Sequence, residues 1–147
     1  MQRTSLRPAL AAVMLSAFLF AGASSHAAVE NYTASLNGSS EVPPNDSKGT
    51  GTLTATYDTA SKKFSFIVTY SGLSGTATAA HFHGPAAPGA NAPPVVPIPP
   101  TMLASPIRGE TTLTDPLAAD LAAGKWYFNV HTAANKGGEI RGQVMKK

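Results

Sequence analysis

The chain of 147 residues contains no cysteine. It therefore has no disulfide bond, thiolate metal ligand or thiol nucleophile, and a metal site would have to use histidine, carboxylate, methionine or water. The sequence also lacks a Gly-x-Ser-x-Gly nucleophile motif and a glycine-rich phosphate-binding loop. No residue is predicted to be catalytic. Whether the protein is an enzyme stays open at this stage, and a non-enzymatic role is favoured.

Long hydrophobic runs are also scarce, because only residues 9–23 form one. This run follows two arginines and precedes small residues at Ser25 and Ala27, which is typical of a secretory signal peptide. It is shorter than the roughly 20 residues that span a bilayer as a helix. We predict a signal peptide over residues 1–27, a periplasmic or secreted location, and no stable membrane insertion after cleavage. The alternative is an uncleaved anchor.

The excess of positive charge is small once the predicted signal peptide is set aside. The full chain has 11 basic and 8 acidic residues, and Arg3 and Arg7 lie in the signal segment. Residues 28–147 thus carry 9 basic and 8 acidic residues, a net charge of +1. The sequence contains no basic cluster of the kind that binds nucleic acid, so we expect no nucleic-acid partner.

Alternation of apolar and polar residues predicts a single all-β domain over residues 28–147. The predicted strands cover residues 32–36, 51–57, 63–70, 76–83, 107–113, 125–131 and 139–145. One short helix is expected over residues 117–123, with Asp115 as N-cap, Pro116 at the first position and Gly124 as its stop. The pattern favours an antiparallel β-sandwich, of the immunoglobulin-like or copper–zinc-superoxide-dismutase-like kind.

A proline-rich stretch interrupts the strand pattern between residues 84 and 106, where eight prolines occur. Proline has no backbone N–H and a fixed φ, so this density excludes a helix and a central strand. We predict one long irregular loop. Loops of this length in a compact domain are often functional, and this one is a candidate contact surface for a protein or a glycan.

Three histidines follow the predicted signal peptide: His81, His83 and His131. Successive side chains of a strand point to opposite faces, so His81 and His83 share one face while Phe82 points to the other. His131 alternates with Phe128 and other core-type residues in its own strand. The three imidazoles can therefore converge if the two strands are neighbours.

A cluster of three imidazoles suits a transition metal. Copper(II) binds most tightly among the common divalent ions, so copper is the first expectation and zinc the alternative. Glu139 and Met102 are weaker candidates for a further ligand. Two other functions stay open: a metal-free interaction module in which the histidines hold loop carbonyls, and a small copper redox enzyme.

Several motifs together resemble one known family, the CHRD domain, in its stand-alone bacterial exported form. They are AHFHGPA at residues 80–86, GKWYFNVHT at 124–132, GGEIRGQ at 137–143, and an earlier match at residues 36–44. The resemblance covers roughly residues 30–145. It implies a β-sandwich in an exported protein and supplies no catalytic residue. The three histidines lie within the resembling motifs, which is compatible with a metal site or a structural one.

Overall fold

A computed structural model describes residues 27–147, and the predicted signal segment up to residue 26 lies outside the described residues. The all-β class is confirmed. The strands are β1 (Val29–Asn37), β2 (Thr50–Asp58), β3 (Lys63–Ser71), β4 (Ala77–His83), β5 (Pro94–Pro97), β6 (Ile107–Thr112), β7 (Trp126–Thr132) and β8 (Ile140–Lys146). They are joined by one helix, α1 (Asp115–Ala122), and two 3-10 turns. None of the helices in this described part has the length and apolar character needed to cross a bilayer.

All eight strands belong to one antiparallel sheet with the order β5-β4-β7-β8-β1-β2-β3-β6. The sheet curls so that β3 faces β4 and β7 across the core. The ring of Phe64 lies 5.3 Å from that of Phe82 and 5.8 Å from that of Trp126, measured between centroids. A single curled sheet thus provides the two facing layers that the sandwich prediction required.

The core is built from the alternating residues of the predicted strands. On β2, Leu53, Ala55 and Tyr57 are buried while the threonines between them face solvent. The predicted core face of β7 is confirmed as well, since Trp126 and Phe128 have no exposed surface. Burial of each such large apolar side chain stabilises the fold by about 1.5–3 kcal/mol.

The short helix forms where the sequence predicts it, but its N-cap differs by one residue. Thr114 is the N-cap and Asp115 is the first helical residue. The carboxylate of Asp115 forms an ion pair with Lys62 at 2.6 Å instead of capping the helix. Pro116 carries no N–H, so the first turn has one donor fewer to satisfy. Gly124 follows the helix with φ +67°, the left-handed conformation that ends helices and favours glycine.

The prediction of one long irregular loop is wrong for the second half of the proline-rich stretch. Residues 94–97 form β5, which pairs with β4 through Val96 opposite Phe82, and Pro100–Met102 form a 3-10 turn. β5 is the outermost strand of the sheet, where a proline needs no ladder partner on its free side. Proline density excludes a central strand but permits this edge strand.

The first half of the stretch, residues 84–93, lies over the outer face of β7 and β8. Its hydrogen bonds join Ala86 N to the Lys125 carbonyl (2.8 Å), Tyr127 Oη to the Ala92 carbonyl (3.3 Å), Arg141 Nη1 to Asn91 Oδ1 (2.8 Å) and Gln143 Nε2 to the Ala86 carbonyl (3.0 Å). The outer face is therefore covered. Tyr127 and Arg141 are 3% and 2% exposed although they point away from the core.

Candidate metal centre

The two histidine-bearing segments are neighbouring strands, which was the condition for convergence. β4 and β7 pair antiparallel, with His81 opposite Asn129 and Ala79 opposite His131. Residues that face each other in such a ladder point to the same side of the sheet. The three imidazoles consequently share the outer face, and one ligand nitrogen from each lies within 4.8 Å of the others.

Backbone carbonyls fix the proton positions of two of these imidazoles. His83 Nδ1 lies 2.8 Å from the carbonyl oxygen of Ala92, and His131 Nδ1 lies 2.9 Å from that of Lys136. A carbonyl oxygen only accepts, so both Nδ1 atoms carry the proton and donate it. In a neutral imidazole the other nitrogen, Nε2, then carries a lone pair. Metal-binding histidines are commonly oriented by this kind of bond.

Asn129 lies at the centre of the cluster and was not among the predicted site residues. Its Oδ1 is 3.0 Å from His83 Nε2 and 3.0 Å from His131 Nε2, and the side chain is 3% exposed. His131 Nε2 is also 3.2 Å from His81 Nδ1. The period of two along a strand places Asn129 on the face of His131, and this signal was sufficient to find it.

Burial sets the charge state of the cluster. Desolvation lowers the pKa of His81, and the neighbouring His131 and His83 lower it further. Desolvation also lowers the pKa of His83, against the bonds to Ala92 and Asn129, which favour its protonated form. Both imidazoles are therefore held in the neutral form near neutral pH, which is the form that binds a metal.

A stack of side chains supports the cluster from the side. The rings of His83 and Tyr127 are parallel, and the guanidinium carbon of Arg141 lies 3.4 Å from the centroid of the Tyr127 ring. The proline-rich segment holds this guanidinium through Asn91 and the Ala90 carbonyl. His83 is thus fixed by its ring contact as well as by its carbonyl partner.

Glu139, a weaker ligand candidate, is not brought into the histidine group. It has no exposed surface, and its carboxylate accepts hydrogen bonds from Ser47 Oγ (2.7 Å), Ser74 N and Oγ (both 2.6 Å) and Thr132 Oγ1 (2.5 Å). Burial raises its pKa, but these hydrogen bonds outweigh that effect and bring the pKa down to about 2. Glu139 therefore holds three chain segments together.

Met102, the other weaker candidate, also lies apart from the histidines. It is 41% exposed and belongs to the 3-10 turn after β5. Its side chain lines a cleft of about 490 Å³ between β5 and β6, together with Phe66 and Val96. None of the three histidines lines that cleft.

The sequence profile of the CHRD domain matches residues 32–144, a range that contains all three histidines and Asn129. The chain belongs to the CHRD family. It matches no curated protein and no solved structure significantly.

Proposed function

We propose that this CHRD domain binds a transition-metal ion, copper in the first place, through His81, His83 and His131, and that it acts in metal binding or delivery. One observation carries the proposal. The protons of His83 and His131 point outward to carbonyls, and their lone pairs converge with Asn129 Oδ1 within 3.0 Å. When His81 carries its proton on Nε2, its Nδ1 lone pair also meets His131 Nε2, and a cation at this point would join electron pairs that otherwise repel each other.

Copper is preferred over zinc because of the donor set. Imidazole nitrogens accept both metals, and the order of divalent affinities places copper(II) above zinc. The amide oxygen of Asn129 adds a harder donor, which also suits copper(II). The predicted signal peptide over residues 1–27 supports a periplasmic or secreted site of action, where the protein would meet metal ions outside the cytoplasm.

The test is a titration of the purified protein with copper(II) in air and with copper(I) under anaerobic conditions. Native mass spectrometry and electron paramagnetic resonance follow the binding. We expect one tight equivalent with nitrogen hyperfine coupling, and no tight binding in the triple variant His81→Ala, His83→Ala, His131→Ala. Glu110→Gln, which removes an exposed carboxylate, is the matched control. Equal copper stoichiometry in the folded triple variant would overturn the proposal.

A second candidate is a metal-free interaction module, which the same contacts support if the Asn129 amide has the opposite orientation. If the Asn129 amide is turned by 180°, its NH2 group donates to both Nε2 atoms and the cluster needs no ion. The imidazoles then serve to hold the carbonyls of Ala92 and Lys136, which fastens the loops. The proline-rich segment would contact the partner.

Asn129→Leu distinguishes the two candidates in the absence of metal. If the NH2 group faces the imidazoles, the variant loses two hydrogen bonds, and its free energy of unfolding falls by about 1–3 kcal/mol. If Oδ1 faces their lone pairs, the variant removes a repulsion, and stability is unchanged or higher. Urea unfolding of both proteins in the presence of a chelator measures this difference.

A further inference from the structure

The sheet has two edge strands, and they differ in how well they are protected against pairing with a further strand. β5 spans four residues and carries Pro94 and Pro97, which cannot donate a backbone hydrogen bond to an added strand. β6, the strand at the other edge, spans Ile107–Thr112 and contains no proline. The metal proposal uses neither edge. β6 is therefore the place where a further strand can join this sheet.

The backbone of β6 presents unpaired hydrogen-bonding groups on the side away from β3. The N–H of Leu113 donates to the carbonyl oxygen of Lys62, the residue before β3, at 2.9 Å. Backbone groups alternate in direction along a strand, so the odd-numbered residues of β6 also face β3. The N–H and C=O groups of Arg108, Glu110 and Thr112 then point outward, and within residues 27–147 they have no hydrogen-bond partner.

The side chains of Arg108 and Glu110 give this edge a charge pattern that complements itself. Both residues are exposed, on the face of β6 opposite the buried Ile107. Glu110 forms an ion pair with Lys63 at 2.7 Å, while Arg108 has no ion-pair partner in the described part of the chain. When two copies of β6 pair antiparallel with Gly109 opposite Gly109, each Arg108 lies opposite the Glu110 of the other copy.

The backbone directions and the charges favour the same register. With Gly109 as the central pair, the outward groups of Arg108 and Glu110 face each other and exchange both N–H···O bonds. Sliding one strand by a single residue places outward groups against groups that face β3, so these bonds are lost. Sliding it by two residues places Arg108 opposite Arg108, or Glu110 opposite Glu110, and like charges in direct opposition destabilise a strand pair. Larger shifts remove the charge pairing.

An apolar cleft beside the same edge gives an added strand a surface to pack against. The cleft of about 490 Å³ between β5 and β6 is lined by Phe66, Val96 and Met102, among others. Met102 is 41% exposed. Gly109 and Thr111 lie on the core side of β6 but are only half-buried, because the sheet ends beside them. A strand added at β6 extends this inner face and removes apolar surface from water, which is favourable.

We propose that two copies of this domain associate through an antiparallel β6–β6 pair centred on Gly109. The interface is isologous, because Arg108 of each copy contacts Glu110 of the other. One short strand from each copy makes a small interface, so the dimer is weak, with a dissociation constant in the upper micromolar range. Measurements at low micromolar concentration therefore observe the monomer. The histidine group lies on β4 and β7, so the dimer forms with or without metal.

The test is sedimentation equilibrium of the purified protein with a chelator, from low micromolar to millimolar concentration. We expect a reversible monomer–dimer equilibrium. Arg108→Glu and Glu110→Arg each place like charges opposite each other, and each should weaken dimerisation about tenfold or more. Lys48→Glu and Asp46→Arg are the matched controls, since they make the same charge changes at exposed positions outside β6. Both controls should dimerise like the wild type.

Mixing the two β6 variants tests the register itself. In the mixed pair, the introduced glutamate at position 108 lies opposite the introduced arginine at position 110, and Glu110 of the first variant lies opposite Arg108 of the second. We expect the equimolar mixture to form a heterodimer with nearly the affinity of the wild type. The double variant Arg108→Glu, Glu110→Arg should dimerise by itself for the same reason.

Three results would overturn the proposal. The first is a wild-type protein that stays monomeric at millimolar concentration. The second is a dimer whose affinity is the same in both folded β6 variants as in the wild type, since that dimer would use another surface. The third is dimerisation that is lost in both variants and not recovered when they are mixed, which would exclude the register centred on Gly109.

Discussion

The imidazole of His83 lies parallel to the phenol ring of Tyr127, with 4.6 Å between the ring centroids and 3° between the ring planes. The two residues face each other across the β4–β7 pair. Arg141 of β8 contacts the same phenol ring through its guanidinium. Tyr127 therefore connects a candidate metal ligand to the residue that anchors the proline-rich segment.

Tyr127→Leu should weaken copper binding about tenfold, within the range seen when a group that orients a metal ligand is removed. Tyr127→Phe keeps the ring and loses only the hydroxyl contact with Ala92, so its copper affinity should stay close to that of the wild type. Competition titration against a chelator of known affinity measures both variants. Equal affinity of the Leu variant and the wild type would show that the stack does not position His83.

Much of the fold could be predicted because the strands alternate so regularly. Leu53 and Ala55 on β2, and Phe128 on β7, are buried as the period of two requires. The edge strand β5 could not be predicted from this signal, because Pro94 and Pro97 argue against a strand. Prolines are tolerated in β5 only because it lies at the edge of the sheet, and this position is not visible in the sequence.

The site was predicted in part. The shared face of His81, His83 and His131 follows from strand geometry, and the pairing of β4 with β7 completes it. Asn129 was missed although the period of two places it on the same face as His131. The burial of Arg141 could not be foreseen, since it depends on where residues 84–93 lie over the sheet.

Gly84→Ala should destabilise the protein by about 1–3 kcal/mol through overpacking. An added Cβ would lie 2.6 Å from Cδ1 of Trp126 and 3.1 Å from the carbonyl oxygen of Lys125. Trp126 is fully buried and cannot move aside. Gly75→Ala is the matched control, because its added Cβ meets nothing within 4 Å. Urea unfolding compares the two variants, and equal stability would contradict the tight contact at Gly84.

Glu139→Gln should lower the free energy of unfolding by about 1–3 kcal/mol near neutral pH, since an amide NH2 cannot accept the bonds that the carboxylate accepts. The folded pKa of about 2 lies below the ordinary value of 4.5. The unfolded chain therefore binds the proton more readily, and the stabilisation is present above 4.5 and lost as the pH falls toward 2.

The measurement for Glu139 is the urea midpoint across this acidic range. The wild type should lose stability more steeply than Glu139→Gln, and Glu110→Gln should follow the wild type. If wild type and Glu139→Gln gave parallel profiles, the carboxylate would not be the group that ties Ser47, Ser74 and Thr132 together.

Glu41 should give the opposite pH dependence. Its folded pKa of about 7 lies above the ordinary 4.5, so between these values the folded state binds the proton more readily than the unfolded chain. Stability from this group is therefore greatest below 4.5 and is lost as the pH rises through about 7, because ionisation leaves a buried charge with an unpaired oxygen.

Glu41→Gln cannot ionise and should lack this loss. Urea unfolding at about pH 5 and about pH 8 measures this effect. The free energy of unfolding of the variant should rise relative to that of the wild type at the higher pH. A constant difference between the two proteins would mean that the carboxylate of Glu41 is solvated in the folded state.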